Sequence, residues 1–439
     1  MKTLYRIIIC LVLVFCLVTP TVFAFDNDLF NKTYTDTKAY LKSLGTPSVG
    51  SVGGEWLVIA LTRDFEECPD GYYENVVEFV NNKINEKGQL HKSKSTDNSR
   101  IILGLTAAGY DPRNVGGHDL IFGLTDITYL KKQGPNGTIW ALIALDCNNY
   151  EIPENPDAAE QTTREGLIAV ILSNQLTDGG WAMSGKNADP DMTGMAIQAL
   201  APYYDTNDDV KSAVDKALTV LSEKQHDNGG YGSVDGACSE SCAQVIVALT
   251  SMGIDPTSDA RFIKNSKTVI DAILEFAVEG GGFSHVPGAA RNGMATEQAQ
   301  YALVAYKRFT EGKNTLYDMS EEDIKIEDEK PEDDTITDKD TEDSVKDESE
   351  NETVPDTENN KDTSDKNGIN AEKAENDKSS SATSSGTNNN KINQSNAKPQ
   401  TGASTGTASA QTGDPCIFIS LIVLAVSLIF VFKRRGSRV

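Results

Sequence analysis

The chain has 439 residues, of which 38% are hydrophobic, 24% charged and 7% aromatic. Forty Lys and Arg stand against 65 Asp and Glu, a formal charge of −25. Repulsion excludes nucleic acid and anionic membrane surfaces as natural partners.

The N-terminus carries Lys2 and Arg6 ahead of an apolar run over 7–18, then Val22-Phe23-Ala24 with small residues suited to cleavage. That is the pattern of a secretory signal peptide over 1–24, and it is set aside from the fold.

Residues 25–320 hold an internal repeat. A small residue followed by Leu recurs at Ala60-Leu61, Gly104-Leu105, Ala144-Leu145, Ala199-Leu200, Ala248-Leu249 and Ala302-Leu303, at intervals of 44, 40, 55, 49 and 54 residues. Each pair sits in an apolar run of helical length. Each run follows a glycine turn: Gly53-Gly54, Gly88, Gly134 to Gly137, Gly179-Gly180, Gly229-Gly230 and Gly280 to Gly282. Upstream of each turn the spacing predicts an amphipathic helix, over 30–44, 75–85, 119–131, 163–175, 209–223 and 265–278. In the fifth, Val210, Val214, Ala217, Leu218 and Leu221 share one face, and Asn207 and Asp208 stand ready to cap it.

The predicted unit is thus outer helix, glycine turn and apolar inner helix, six times over. Such a hairpin cannot cover its own apolar face, so neighbours must stack. Inner helices that are apolar nearly all round need enclosure on every side, which favours a closed ring over an open superhelix. The expected class is all-α, an α6/α6 toroid of six helical hairpins.

Beyond the repeats, 321–410 has no aromatic residue and is rich in Asp, Glu, Lys, Ser, Thr and Asn. Its first part, 321–378, sets 8 basic residues against 24 acidic ones. Such a segment cannot bury enough apolar surface to offset chain entropy, so the expectation is a disordered acidic stalk. In 411–439, Gln411-Thr412-Gly413-Asp414 precedes an apolar run over 415–432 and then Lys433-Arg434-Arg435. That run is long enough for a transmembrane helix with its basic end in the cytoplasm.

A signal peptide paired with this tail resembles the sorting signals of Gram-positive surface proteins. The resemblance implies that a sortase cuts between Thr412 and Gly413 and joins the chain to the cell wall. The family's Leu-Pro is replaced here by Ser409-Ala410. A second candidate, Lys398-Pro399-Gln400-Thr401-Gly402, keeps the Pro but lies farther from the span. With or without cleavage, the expected location is the cell surface, held at the C-terminus.

The repeats carry a second resemblance. Gln175-Leu176-Thr177-Asp178-Gly179-Gly180-Trp181 resembles the Gln-x-x-x-Gly-x-Trp element of squalene cyclases and related terpenoid-cyclase toroids. Gln225 to Tyr231 repeats it with Tyr for Trp, and Gly281-Gly282-Phe283 keeps its end. The stretches 188–193, 239–244 and 295–299 look like bacterial surface proteins with prenyltransferase/squalene-oxidase repeats. The same toroid serves cyclases, protein prenyltransferases, thioester domains and vitamin B12 carriers, so it implies fold more than chemistry.

Three groups of residues are candidates for chemistry. The first is Asp189-Pro190-Asp191-Met192-Thr193, which resembles the acidic motif of class II terpenoid cyclases. The resemblance would make Asp191 the acid that protonates an alkene, although Met192 replaces one expected carboxylate. The plainer expectation is that Asp191 caps the inner helix or touches a ligand. The second is Asp235 with Cys238, which resembles part of the zinc set of protein prenyltransferases. The matching His position, 296–298, holds none, and His285 falls upstream in the turn. A metal centre and a catalytic residue are therefore not expected, with Asp235, Cys238 and Asp191 as the only candidates.

The third group is positional. Counting back from each small-Leu pair, the same slot at the mouth of the inner helices holds Trp56, Arg100, Trp140, Met195, Gln244 and Gln298. In a closed ring these face one central hollow, with Asp191, Glu240 and Glu297 adding an acidic rim. Two indoles, a guanidinium and two amides suit a ligand with flat apolar and polar parts. The resulting expectation is non-catalytic binding of a small amphipathic molecule or a surface partner, with a corrinoid as one candidate ligand and no resident cofactor. The rival is a cyclase- or prenyltransferase-type enzyme using Asp191. Of the ectodomain cysteines, Cys68, Cys147, Cys238 and Cys242 allow three complete pairings, and a Cys238–Cys242 link across one turn is conceivable.

Overall fold

The computed structural model describes residues 25–233, 236–322 and 324. The signal peptide over 1–24, most of the acidic segment, Thr401, Thr412, Gly413 and the apolar run over 415–432 lie outside the described residues. Among the described residues no helix is long and apolar enough to cross a membrane.

Twelve α-helices are found among those residues. In chain order they are α1 (Asn27–Lys42), α2 (Glu55–Thr62), α3 (Tyr72–Lys83), α4 (Thr96–Ala107), α5 (Ile127–Leu130) and α6 (Pro135–Asp146). Then come α7 (Arg164–Ser173), α8 (Pro190–Leu200), α9 (Asp208–Lys224), α10 (Ser239–Ser251), α11 (Val269–Leu274) and α12 (Gly293–Thr310). Odd-numbered helices form the outer layer and even-numbered helices the inner one. Each inner helix packs on the next, α2 on α4, then α6, α8, α10 and α12, and α12 returns to α2. The outer layer meets across the same seam, α11 against α1. Hydrogen bonds sew it shut: Gly282 N donates to Thr37 Oγ1 at 3.0 Å and Gly53 N to Glu297 Oε1 at 2.7 Å. The ring is closed.

Burial follows the sequence pattern. All eight residues of α2 are buried, and so are eleven of the thirteen in α10. On the outer helix α9 the buried set is Val210, Ala213, Val214, Ala217, Leu218, Val220 and Leu221, one face at helical spacing, with Asn207 accepting from the backbone N–H groups of Asp209 and Val210 as its cap. Gly104 shows why a small residue precedes Leu: a Cβ there would lie 2.4 Å from the Tyr72 hydroxyl and 2.8 Å from Glu55 Cγ. Glycine lets α4 approach both α3 and α2.

Two outer helices are shorter than their periodicity predicts. The segment expected as a helix over 119–131 is a single turn, α5, set between 3₁₀ turns at Phe122–Leu124 and Lys131–Gln133. Gly123 packs against the Gly88 carbonyl, where any Cβ would stand 2.1 Å away, and Asp126 starts a new cap there. The segment 265–278 keeps only α11, because Asn265 and Ser266 take left-handed φ values of 48° and 62° and Thr268 builds a capping box.

The glycine turns are clamped onto the inner helices in a repeated way. Gln175 Nε2 donates to the Gly179 carbonyl and across to the Ala213 carbonyl, both at 2.8 Å; Gln225 does the same to Gly229 and Phe262, both at 2.9 Å. Each glutamine thus ties its own turn to the next outer segment. Two residues before the Trp56-type slot, Thr193 Oγ1 accepts from Trp181 N, Thr296 Oγ1 from Phe283 N and Cys242 Sγ from Tyr231 N. Cys242 therefore occupies a threonine-like clamp position, buried and engaged with Tyr231. The conceivable Cys238–Cys242 disulfide does not form: both are thiols, as is Cys147. A short hairpin, β1 (Gly232–Ser233) and β2 (Gly236–Ala237), pairs Gly232 with Ala237 in the turn before α10.

After α12 the chain doubles back over the C-terminal ends of the inner helices as a strap. Met319 N donates to the Cys147 carbonyl at 2.7 Å, and Tyr317 packs edge-on against Trp140. The fully buried Arg63 donates to the carbonyls of Thr315, Leu316 and Asp318. Glu321 and Glu322, which composition groups with the stalk, pair with Arg308 and Arg63. The strap therefore belongs to the folded domain past residue 320.

Candidate ligand site at the N-terminal mouth

The inner helices start at one mouth of the ring, and the slot residues point there. Trp56, Arg100, Trp140, Met195, Gln244 and Gln298, one from each inner helix, all line a single cavity of about 200 Å³. Helical periodicity places them so: each lies the same distance before its small-Leu pair, so closure turns six equivalent positions toward one axis.

Aromatic side chains occupy much of that axis. The Trp56 and Trp140 rings lie 5.1 Å apart between centroids, and Tyr301 lies 5.9 Å from Trp56. Arg100 is not a free cation. Its Nε donates to the buried Glu55 at 2.7 Å and its Nη1 to Asp97 at 3.2 Å. The polar side is an amide chain: Gln244 Nε2 donates to the Tyr301 hydroxyl at 2.7 Å and to Gln298 Oε1 at 3.3 Å. Tyr301 escaped the sequence reading although it lies three residues after Gln298, on the same helical face.

The three expected rim acids do not line this cavity. Glu297 turns to the seam and accepts from Gly53 N, with its second oxygen buried and unpartnered. Burial pushes its carboxyl up to about 7, helped by the nearby Glu55. Asp191 is not the cap of α8; that role falls to Asp189, whose side chain accepts from Met192 N at 3.0 Å. Asp191 lies in the first turn of α8, half-buried beside Ser241, with Oδ1 unpartnered. Burial pushes it up to about 6, with Asp189 and Glu240 adding repulsion.

Glu240 belongs to a separate cluster. Its carboxylate meets His285 Nδ1 at 2.7 Å, and ligand atoms of Cys238, Glu240 and His285 all lie within 4.8 Å of one another. Thiol, carboxylate and imidazole are a donor set that zinc accepts. The loop before α12 folds back far enough to bring His285 over α10, so its place upstream in sequence does not separate it from Cys238. Burial raises the Cys238 thiol above its usual range. Asp235 lies outside the described residues.

No curated protein matches the chain. Residues 123–320 match the prenyltransferase alpha-alpha toroid domain family. That stretch runs from the start of the third hairpin through the sixth and into the strap, and the first two hairpins complete the circle. The helical ring is a prenyltransferase-like α/α-toroid domain.

Proposed function

We propose that the chain is secreted, held at the cell surface by its C-terminal segment, and uses the toroid to bind a small amphipathic molecule without turning it over. The observation that carries the reading is the convergence of all six slot residues on one cavity. Its walls offer indole and phenol faces on one side and the Gln244 and Gln298 amides on the other. At about 200 Å³ the cavity is smaller than the roughly 300–1,000 Å³ that encloses a drug-sized ligand. It therefore takes a compact head group, and a corrinoid would have to lie across the mouth. A surface partner would be read the same way, through a small side chain entering the hollow.

A cyclase acid fits less well. Protonating an alkene needs an acid stronger than an ordinary carboxyl, and the burial of Asp191 makes it weaker. The Cys238, Glu240 and His285 donors favour a second reading, in which a divalent metal sits on the rim beside Asp191. The residues present would hold it through thiolate, carboxylate and imidazole, and a bound zinc would supply a Lewis acid.

Native mass spectrometry of the protein purified from its own producer tests the main reading, with tryptophan fluorescence as second readout. A retained small molecule is expected, with quenching on rebinding and at least tenfold weaker binding in Trp140→Ala. Turnover of that molecule, or its absence together with no fluorescence response to a panel of amphipathic compounds, would overturn it.

A further inference from the structure

The opposite mouth, at the C-terminal ends of the inner helices, holds a larger hollow of about 560 Å³, within the usual range for ligand pockets. Its wall includes Asp146 of α6, Gln198 of α8, Tyr203 from the turn that follows, and Tyr317, Asp318 and Ser320 from the strap.

Gln198 is 6% exposed. Its Nε2 donates at 3.0 Å to the Gln244 backbone carbonyl and at 3.0 Å to Gln244 Oε1. A carbonyl only accepts, so the amide orientation is fixed and Oε1 is the atom left over. Among the described residues nothing donates to it. A buried acceptor without a donor is costly, and a small turn of the Gln198 side chain toward the hollow would let a ligand hydroxyl reach Oε1 and remove that cost.

The buried charges of the hollow, Asp146 and Arg164, are already matched. Asp146 takes Arg164 Nε at 2.6 Å and the Tyr203 hydroxyl at 2.7 Å. Arg164 Nη2 is spent on the carbonyls of Leu145 and Tyr150. On the strap, Asp318 Oδ1 accepts from Ser320 N and Oγ, and Oδ2 has no partner among those bonds. The hollow thus presents acceptors, two tyrosine rings and no uncompensated cation. An anion would meet Asp318 and Asp146, while a purely apolar guest would leave Gln198 unsatisfied. A molecule with many hydroxyl donors and a flat apolar face meets every requirement.

We propose that this mouth is a second binding site, for an uncharged sugar, with the strap supplying part of its wall. None of the slot residues lines it, and the one direct link to the other mouth described above is the bond from Gln198 to Gln244.

Calorimetric titration of the full-length chain with glucose, N-acetylglucosamine, cellobiose and glucuronate tests the assignment. At least one neutral sugar should bind saturably in the millimolar range or tighter, with glucuronate at least tenfold weaker. Gln198→Met should weaken that sugar at least tenfold and Gln298→Met should leave it unchanged. Should Gln198→Met not fold, as judged by circular dichroism, Asp318→Ala on the exposed strap should give the same loss. The proposal fails if no neutral sugar saturates, if glucuronate binds as well as the neutral sugars, if a neutral tripeptide amide binds instead, or if neither Gln198→Met nor Asp318→Ala weakens the sugar.

Discussion

Replacing Glu297 by Gln should leave stability unchanged at about pH 4.5 and raise it progressively above that. Burial lifts the native carboxyl from 4.5 to about 7, so the folded protein holds this proton more tightly than the unfolded chain does. The side chain therefore contributes stability that is fully present below 4.5 and lost as pH rises through about 7. At about 1.4 kcal/mol per pH unit, the gap corresponds to about 3 kcal/mol of destabilisation in the wild type by pH 8. For a domain of this size that is a melting shift of about 5 °C. Gln keeps an acceptor for Gly53 N and carries no charge, so it mimics the protonated acid at every pH. The groups facing Glu297 across the seam are Glu55, itself raised by burial and paired with Arg100, and through Arg100 the carboxylate of Asp97. All are common to both proteins and largely cancel in the difference. Thermal melts of wild type and Glu297→Gln from pH 5 to 8.5 provide the measurement. Parallel curves with a constant offset would refute the reasoning, because Glu297 would then not change its proton affinity on folding.

Arg63→Met removes a buried guanidinium that satisfies three strap carbonyls, and should cost about 3–5 kcal/mol in urea unfolding, with hydrogen-exchange protection lost first over 314–322; unchanged protection there would detach the strap from the fold. The rim cluster should bind one zinc ion, with affinity at least tenfold lower in both Cys238→Ser and His285→Ala; equal affinity in either variant would rule those donors out.

The ring was legible because its repeats are built from residue patterns that mean the same thing in six places. Helices apolar nearly all round, such as α2, have no stable exposed state, so closure followed from them. The six slots could be aligned by counting alone, since helical spacing fixes their direction once the ring is shut. What escaped depends on where the chain bends back. Asp189 and Asp191 both look like caps in sequence, and only the Pro190 start of α8 decides that Asp189 accepts from Met192 N. His285 reaches Glu240 through a loop with no periodicity. The strap carries neither helical spacing nor charge pattern, so Tyr317, the partners of Arg63 and the larger hollow had no sequence signature. The shortening of α5 and α11 comes from backbone crowding at Gly123 and left-handed φ values at Asn265 and Ser266, which periodicity does not register.

The seam between the first and last pairs has a consequence for how this architecture can evolve. An open superhelix can gain or lose a repeat and stay folded, because each unit answers only to its neighbours. Here Thr37 answers to Gly282 and Gly53 to Glu297, residues nearly the whole domain apart. Duplication or deletion of a single pair would leave those ends unable to meet. Such contacts also make folding wait for distant parts of the chain. Change is thereby confined to the loops at the two mouths, where the hollows lie.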